Sequence, residues 1–293
     1  MDLLQLKTLY EKGVNIIDHL EQLGLTRSDA IAISYDLQAG SYIQYAEENR
    51  GYLDEYTGEI ADILNNLSAN AESIMEVGVG EATTLSNVRT RLSFDPDSIG
   101  FDISLSRVLF GRRYFASNGK GSARFFVGDM FNIPFADNSI DIVYTSHSIE
   151  PNGGREKEIL SELYRVAGKY LVLLEPSYEL ATIDGKNRMN RLGYIKGLVD
   201  VARELEMMVV AHRLTKVCAN PLNPTALLLI EKDRDAQSRR HAEFCCPQTR
   251  KPLTLNDSCY WSESSLKVYP IILDIPCLAG KYGIVATHYS KFI

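Results

Sequence analysis

The sequence predicts an α/β protein: a doubly wound, seven-stranded sheet preceded by an N-terminal helical cap and followed by a small β-rich C-terminal domain. Three observations predict it. Short β-branched runs alternate with helical stretches between about residues 73 and 233. Runs such as Tyr170-Leu-Val-Leu-Leu-Glu175 are almost continuously apolar, as expected of a strand covered on both faces. Finally, the last two runs of this zone, 208–217 and 226–231, are joined by Cys218-Ala-Asn-Pro-Leu-Asn-Pro-Thr225. That connection leaves no room for a helix, so the two strands are expected to pair antiparallel at one sheet edge.

Taken in order, residues 1–72 contain no strand-like run and read as helices. Tyr56, Ile60, Ile63, Leu64 and Leu67 recur there at helical spacing and predict one buried stripe. Strands are expected at 73–77, 99–102, 124–128, 140–145 and 170–175, with helices at 83–91, 105–117, 155–166 and 188–205. The charged stretch from Lys232 to His241 reads as a linker, 234–242. It divides a domain at 73–233 from a tail at 243–293, where short strands are expected at 265–268, 271–275 and 283–287.

Composition narrows the functional classes. Of 293 residues 45% are hydrophobic and 24% charged, which supports a sizeable core and excludes wholesale disorder. No apolar run reaches the roughly 18 residues of a membrane span. The opening MDLLQLKTLYEKG lacks the basic-then-apolar order of a signal peptide, so a cytoplasmic protein without membrane insertion is expected. Five cysteines in a chain of this length do not make a disulfide framework. The charge of −7 is uneven: residues 1–72 carry 4 Lys/Arg against 13 Asp/Glu, and the remainder 27 against 25. An acidic first quarter repels a phosphate backbone, so nucleic acid is not expected as a partner.

The strongest local feature is Glu76-Val-Gly78-Val-Gly80-Glu-Ala82-Thr-Thr84, at a strand end just before a helix. Gly78 and Gly80 permit a sharp turn and a close approach of backbone to ligand, and the helix start offers free N–H groups. Asp102, in Gly100-Phe-Asp102-Ile103, closes the second strand, where a carboxylate can accept both hydroxyls of a ribose. Asp129, in Gly128-Asp129-Met130, closes the third and can accept from an adenine amino group while Met130 or Phe131 packs on the ring. Singly, the glycine loop is as readily a tight turn, and Asp102 and Asp129 are more often helix caps. Three consecutive strand ends carrying the groups a nucleoside needs point to a nucleoside site.

Thr83 replaces the third glycine of a dinucleotide fingerprint. The pattern Glu76 to Ala82, with Asp102, the Gly128-Asp129 turn and Ile133-Pro134-Phe135-Ala-Asp137-Asn-Ser-Ile-Asp141-Ile-Val143, instead resembles class I S-adenosylmethionine-dependent methyltransferases over about residues 74–233. The resemblance implies a Rossmann-like methyltransferase sheet with S-adenosylmethionine as cofactor and S-adenosylhomocysteine as product. It also implies that Glu76, Gly78 and Gly80 lie along the methionine moiety. By the same resemblance Asp102 holds the ribose, Asp129 with Met130 holds the adenine, and Ile103 and Ser146 also bind the cofactor. Tyr35-Asp-Leu-Gln38-Ala-Gly-Ser41-Tyr42 is similar to a segment in which a tyrosine closes over the cofactor, although Tyr35 and Tyr42 equally suit helix packing.

At the fourth strand's exit stands Tyr144-Thr-Ser146-His147-Ser-Ile-Glu150-Pro-Asn152. His147, with an ordinary pKa of about 6.5, can accept a proton near neutrality; Glu150 or Glu175 can orient it or act in its place. A small-molecule or glycan-linked acceptor methylated at oxygen is the expected substrate. RNA or protein methylation and a non-catalytic cofactor-binding scaffold are the alternatives.

The tail's Cys245-Cys246-Pro247-Gln-Thr249 and Tyr269-Pro270-Ile271…Ile275-Pro276-Cys277-Leu278 resemble the small zinc-ribbon-like activators of methyltransferases. Structural zinc takes four ligands, usually in two C-x-x-C pairs. Here Thr249 stands at the second position of the first pair, so zinc is not expected, and the tail is expected to pack on the main domain or form a homodimer contact.

Overall fold

The computed structural model describes residues 3–67, 71–232 and 242–292; the expected linker at 234–242 lies almost wholly outside them. The cap comprises α1 (Leu3–Glu11), α2 (Ile16–Gln22), α3 (Arg27–Leu37), α4 (Ser41–Glu48) and α5 (Arg50–Asn66). Asn15 and Thr26 start α2 and α3 by accepting from backbone amides one turn on. In α5 the stripe Tyr56, Ile60, Ile63 and Leu64 is buried against the sheet domain, with Leu67 partly so.

The central unit runs β1 (Ser73–Val77), α6 (Thr83–Arg91), β2 (Asp97–Asp102), α7 (Leu105–Asn118), β3 (Ala123–Val127), β4 (Ile140–Ser146), α8 (Glu156–Val166) and β5 (Ala167–Pro176), then α9 (Ile183–Arg191), α10 (Leu198–Glu204), β6 (Met208–Leu214) and β7 (Thr225–Glu231). These strands form one seven-stranded sheet ordered β3-β2-β1-β4-β5-β7-β6. β1 to β5 are parallel, and β7 lies antiparallel between β5 and β6. One face packs on α8 and α10 and the other on α5, α6 and α7, which explains the unbroken apolar strands. The strand order reverses between β1 and β4, and ligands bind outside the carboxyl ends at such a reversal.

Two carboxylates of the 133–143 motif are structural. Asp137 pairs with Arg165 at 2.8 Å, and the same guanidinium donates to the carbonyls of Ile133 and Phe135, fixing the loop before β4. Asp141 accepts from the Glu72 and Ser73 amides at 2.6 and 3.2 Å, tying β4 to the start of β1.

Some boundaries differ from expectation. The single helix at 188–205 is two helices, because Gly193 (φ +63) and Gly197 (φ +67) leave the helical region. The segment between them instead bonds to the loop after β4, with the Gly153 amide donating to the Gly193 carbonyl and the Ile195 amide to that of Glu150. β6 stops at Leu214 rather than 217, since Glu59 of α5 accepts from the Lys216 and Val217 amides.

The tail forms β8 (Thr254–Asn256), β9 (Cys259–Ser262), β10 (Lys267–Ile272), β11 (Ile275–Pro276) and β12 (Ile284–Val285). The β8–β9 hairpin was not expected; its strands are short and lack alternation. The expected strand at 271–275 is broken by Leu273 and Asp274, both at positive φ, and Ser265 and Leu266 belong to a turn. The tail covers the free edge of β3. Cys277 bridges to Val127, the Leu278 amide donates to the Val127 carbonyl at 2.8 Å, and Phe244 packs edge-on to Phe126 with its centroid 5.2 Å away. An open strand edge is a template for pairing with other chains, and this cover removes it.

Candidate functional site

The site grows from the loop after β1. Gly78 adopts φ +69, and a Cβ there would lie 2.3 Å from the Cβ of Ser148. Only glycine fits, because Ser148 is itself fixed by donating its hydroxyl to the Val77 carbonyl at 2.7 Å. Gly80 also lies at positive φ, and its amide donates to Asp102 Oδ2 at 3.1 Å. Asp102 Oδ1 accepts from the Ser104 amide at 2.9 Å, so this carboxylate is anchored at the end of β2. Burial raises its pKa.

Glu76, on β1, is fully enclosed and accepts from the Tyr144 hydroxyl at 2.7 Å. Burial pushes its carboxyl up to about 8, further than the Tyr144 bond can restrain. Asp129, past β3, turns the chain by accepting from the Phe131 amide at 3.0 Å. These strand ends open onto one cavity of about 920 Å³, mouth included. Glu76, Gly78 and Gly80 line it beneath, Asp102, Ile103, Asp129 and Met130 on one side, and Ser146 and His147 on the other.

The helical cap supplies the roof. Tyr35 and Tyr42 line the cavity, with the Arg107 guanidinium 4.9 and 4.3 Å from their ring centroids. Arg107 Nε donates to the Tyr35 carbonyl at 2.9 Å, while its buried Nη2 has no hydrogen-bond partner among the described residues. Glu81 accepts from the Gly40 and Ile43 amides at 3.0 and 2.8 Å, fastening the start of α4 to the glycine loop. Asp36 accepts from the Ser106 amide at 3.1 Å and from the hydroxyls of Ser104 and Ser106.

His147 stands where β4 leaves the sheet, at φ +50. Its Nε2 is 2.7 Å from Thr225 Oγ1, and its Nδ1 is 3.6 Å from Glu150 Oε2. Burial alone would lower its pKa; the Glu150 bond and charge, with the charge of Glu175, outweigh that and raise it. Glu175 accepts from the Ser148 amide at 3.0 Å, and burial pushes its carboxyl up to about 7 against the opposing charge of His147. Neither Glu150 nor Glu175 lines the cavity; they meet it through His147 and Ser148.

Sequence reasoning missed Arg107, Glu81 and Thr225. Arg107 carries a weak signal, a cation in the first turn of the helix after Asp102. Thr225 carries none, being 78 positions from His147 and brought beside it only by the antiparallel insertion of β7. Among the described residues no group of three or more His, Cys, Asp or Glu side chains is placed to hold a metal, and no helix is long and apolar enough to cross a membrane.

Comparison with known proteins agrees with this fold. The family described as methyltransferase domain matches residues 74–169. The magnesium protoporphyrin IX methyltransferase of Synechocystis PCC 6803 with bound S-adenosylhomocysteine superposes with a TM-score of 0.53 at 11% identity, over 69% of this chain and 99% of that one. A complex between the Haloferax volcanii Trm112 methyltransferase activator and a protein described as a methyltransferase gives 0.50 at 15% identity, over 69% and 99%. Residues 74–169 thus match a methyltransferase domain, within a chain that has the fold of solved S-adenosylmethionine-dependent methyltransferases.

Proposed function

We propose that the protein transfers the methyl group of S-adenosylmethionine to a hydroxyl of a small-molecule or glycan-linked acceptor within the cavity at the ends of β1, β2, β3 and β4. One observation carries this reading: a bare backbone bend at Gly78–Gly80 converges with the buried carboxylates Glu76 and Asp102 on a single cavity. The residues fit the cofactor. The floor at Gly78 has no space for a Cβ, and the Arg107 guanidinium keeps a free donor in the roof. Glu76 faces the ammonium end, Asp102 the ribose, and Asp129 with Met130 the adenine. In this reading residues 1–72 cap the site, 73–233 carry it and 243–293 cover the sheet edge.

When bound, the sulfonium supplies an activated methyl group whose departure needs no acid. The chain's own residues must align the acceptor, exclude water and take up the hydroxyl proton. The roof of Tyr35 and Tyr42 excludes water, and His147 Nε2 receives the proton on giving up its bond to Thr225. Glu150 is then a positioning residue, fixing Nδ1 and favouring the imidazolium. The rate should rise with pH along a limb with its midpoint above the ordinary imidazole value of about 6.5. Glu150→Gln should move that midpoint down, as pH profiles of both proteins would reveal. An unchanged midpoint removes His147 as the base.

Calorimetric titration with S-adenosylhomocysteine tests the cofactor assignment. Binding is expected for the native protein and a loss of about tenfold or more for Asp102→Ala, since two charge-assisted bonds disappear. No heat in either case overturns the reading. The pH dependence is a second check. In the free protein Glu76 keeps its proton up to about pH 8, so the stability this group contributes is fully present below the ordinary carboxyl value of 4.5 and is lost as pH rises from there to about 8. A cationic ligand beside it requires the proton to leave. Affinity should therefore strengthen with rising pH, up to about tenfold per unit below 8, and Glu76→Gln should flatten the dependence.

The tail favours a second reading, methylation of RNA or protein, because the Haloferax volcanii complex pairs a methyltransferase with an activator. The acidic cap counts against RNA. Binding of tRNA that weakens steeply with salt would support it.

A further inference from the structure

The tail contains two short turns of equal spacing that face each other. The first runs from Cys246 to Thr249 and is closed by the Arg250 amide donating to the Cys246 carbonyl at 2.8 Å. The second runs from Ser262 to Ser265, where the Ser265 amide donates to Ser262 Oγ at 3.3 Å. Each is followed by a residue in the left-handed region, Arg250 at φ 58 and Leu266 at φ 54. Cys246 and Ser262 are completely buried.

The four side chains converge. Cys246 Sγ lies 3.4 Å from Ser265 Oγ and 3.6 Å from the Tyr269 hydroxyl, and the nearby Ser262 and Thr249 hydroxyls help to hold its thiol down to about 6. Ser264 links the turns from outside, 2.5 Å from Thr249 Oγ1 and 3.3 Å from Ser262 Oγ. Two x₂ turns presenting four side chains to one point is the arrangement of a structural zinc site. The chemistry is wrong for the ion. Neutral hydroxyls are poor ligands for zinc beside thiolates and imidazoles, and a single sulfur cannot hold it.

We propose that Cys246, Thr249, Ser262 and Ser265 form a metal-free counterpart of a four-ligand zinc knuckle, in which hydrogen bonds among three hydroxyls and one thiol fasten the two turns. The second pair of positions, which the cysteine pattern alone does not reveal, is Ser262-x-x-Ser265. The network holds the β9–β10 hairpin to the chain segment that carries Phe244 onto the sheet, which is the cross-link a metal would make.

Metal analysis of the purified full-length protein tests the first half. Less than about one-tenth of an equivalent of zinc is expected, with an unchanged melting temperature in a strong chelator, whereas Ser262→Ala and Thr249→Val should each lower it by about 2–4 °C per kcal/mol lost. Stoichiometric zinc, or a chelator-sensitive melting temperature, overturns the proposal. The second half is tested by Thr249→Cys combined with Ser262→Cys and Ser265→Cys, titrated with cobalt(II). One equivalent should bind with thiolate charge-transfer and tetrahedral d–d absorption, and zinc should displace it. A triple variant with native circular dichroism that binds no cobalt overturns the geometry. If that variant misfolds without metal, refolding in the presence of zinc decides, and failure to recover structure counts against the proposal.

Discussion

Replacing Gly78 with alanine is expected to cost the protein its adenosyl ligand while leaving the sheet assembled. An L-residue in the left-handed region costs about 1–2 kcal/mol, and here the added methyl also meets Ser148 at 2.3 Å. Ser148 cannot retreat freely, since its hydroxyl holds the Val77 carbonyl and its amide holds Glu175. Relief must come from displacing the loop, which carries the Gly80 amide away from Asp102. Together these predict a loss of about 30-fold or more in affinity for S-adenosylhomocysteine, about 2 kcal/mol or more. Calorimetry read alongside far-ultraviolet circular dichroism checks it. Unaltered affinity would mean that the bend does not contact the ligand.

Ending the chain at Lys232 is expected to have the larger effect on folding. The cut uncovers the outer edge of β3, leaves the Val127 carbonyl without the Leu278 amide, and strips the cover from Phe126 and Phe135. Burial of a large apolar side chain contributes about 1.5–3 kcal/mol, and a whole domain is stable by only about 5–15. Losing cover over several such residues therefore consumes most of that margin, and aggregation through the bare edge should follow. Phe244→Ala isolates the packing component, with an expected cost of about 1.5–3 kcal/mol because the ring is only partly buried. Denaturant unfolding and light scattering test both. A soluble, cooperatively melting truncated chain would show that the cover is dispensable.

Much of this arrangement was legible in the sequence, for local reasons. The helix at 83–91 and the strand at 73–77 are bounded by residues that act within a few positions, namely the glycine bend and Leu92. The three carboxylates Glu76, Asp102 and Asp129 were legible because each parallel strand delivers its carboxyl end to the same rim. The rest depended on pairings between distant segments. The break between α9 and α10 follows from the loop after β4 bonding to residues 193–195. The confinement of Glu150 to a place behind His147 follows from Asn223, whose side-chain amide donates to it from the β6–β7 connection at 3.3 Å. Arg107 became part of the roof only because the cap folds back over α7 and brings Tyr35 and Tyr42 within reach.

The sheet's protective edge strip is encoded downstream on the same polypeptide. Docking is therefore a first-order event, governed by tether length and not by the abundance of a second gene product. A sheet that borrows such a strip from a separate subunit loses it on dilution; this one should retain it at any concentration, in one-to-one stoichiometry from the moment synthesis ends.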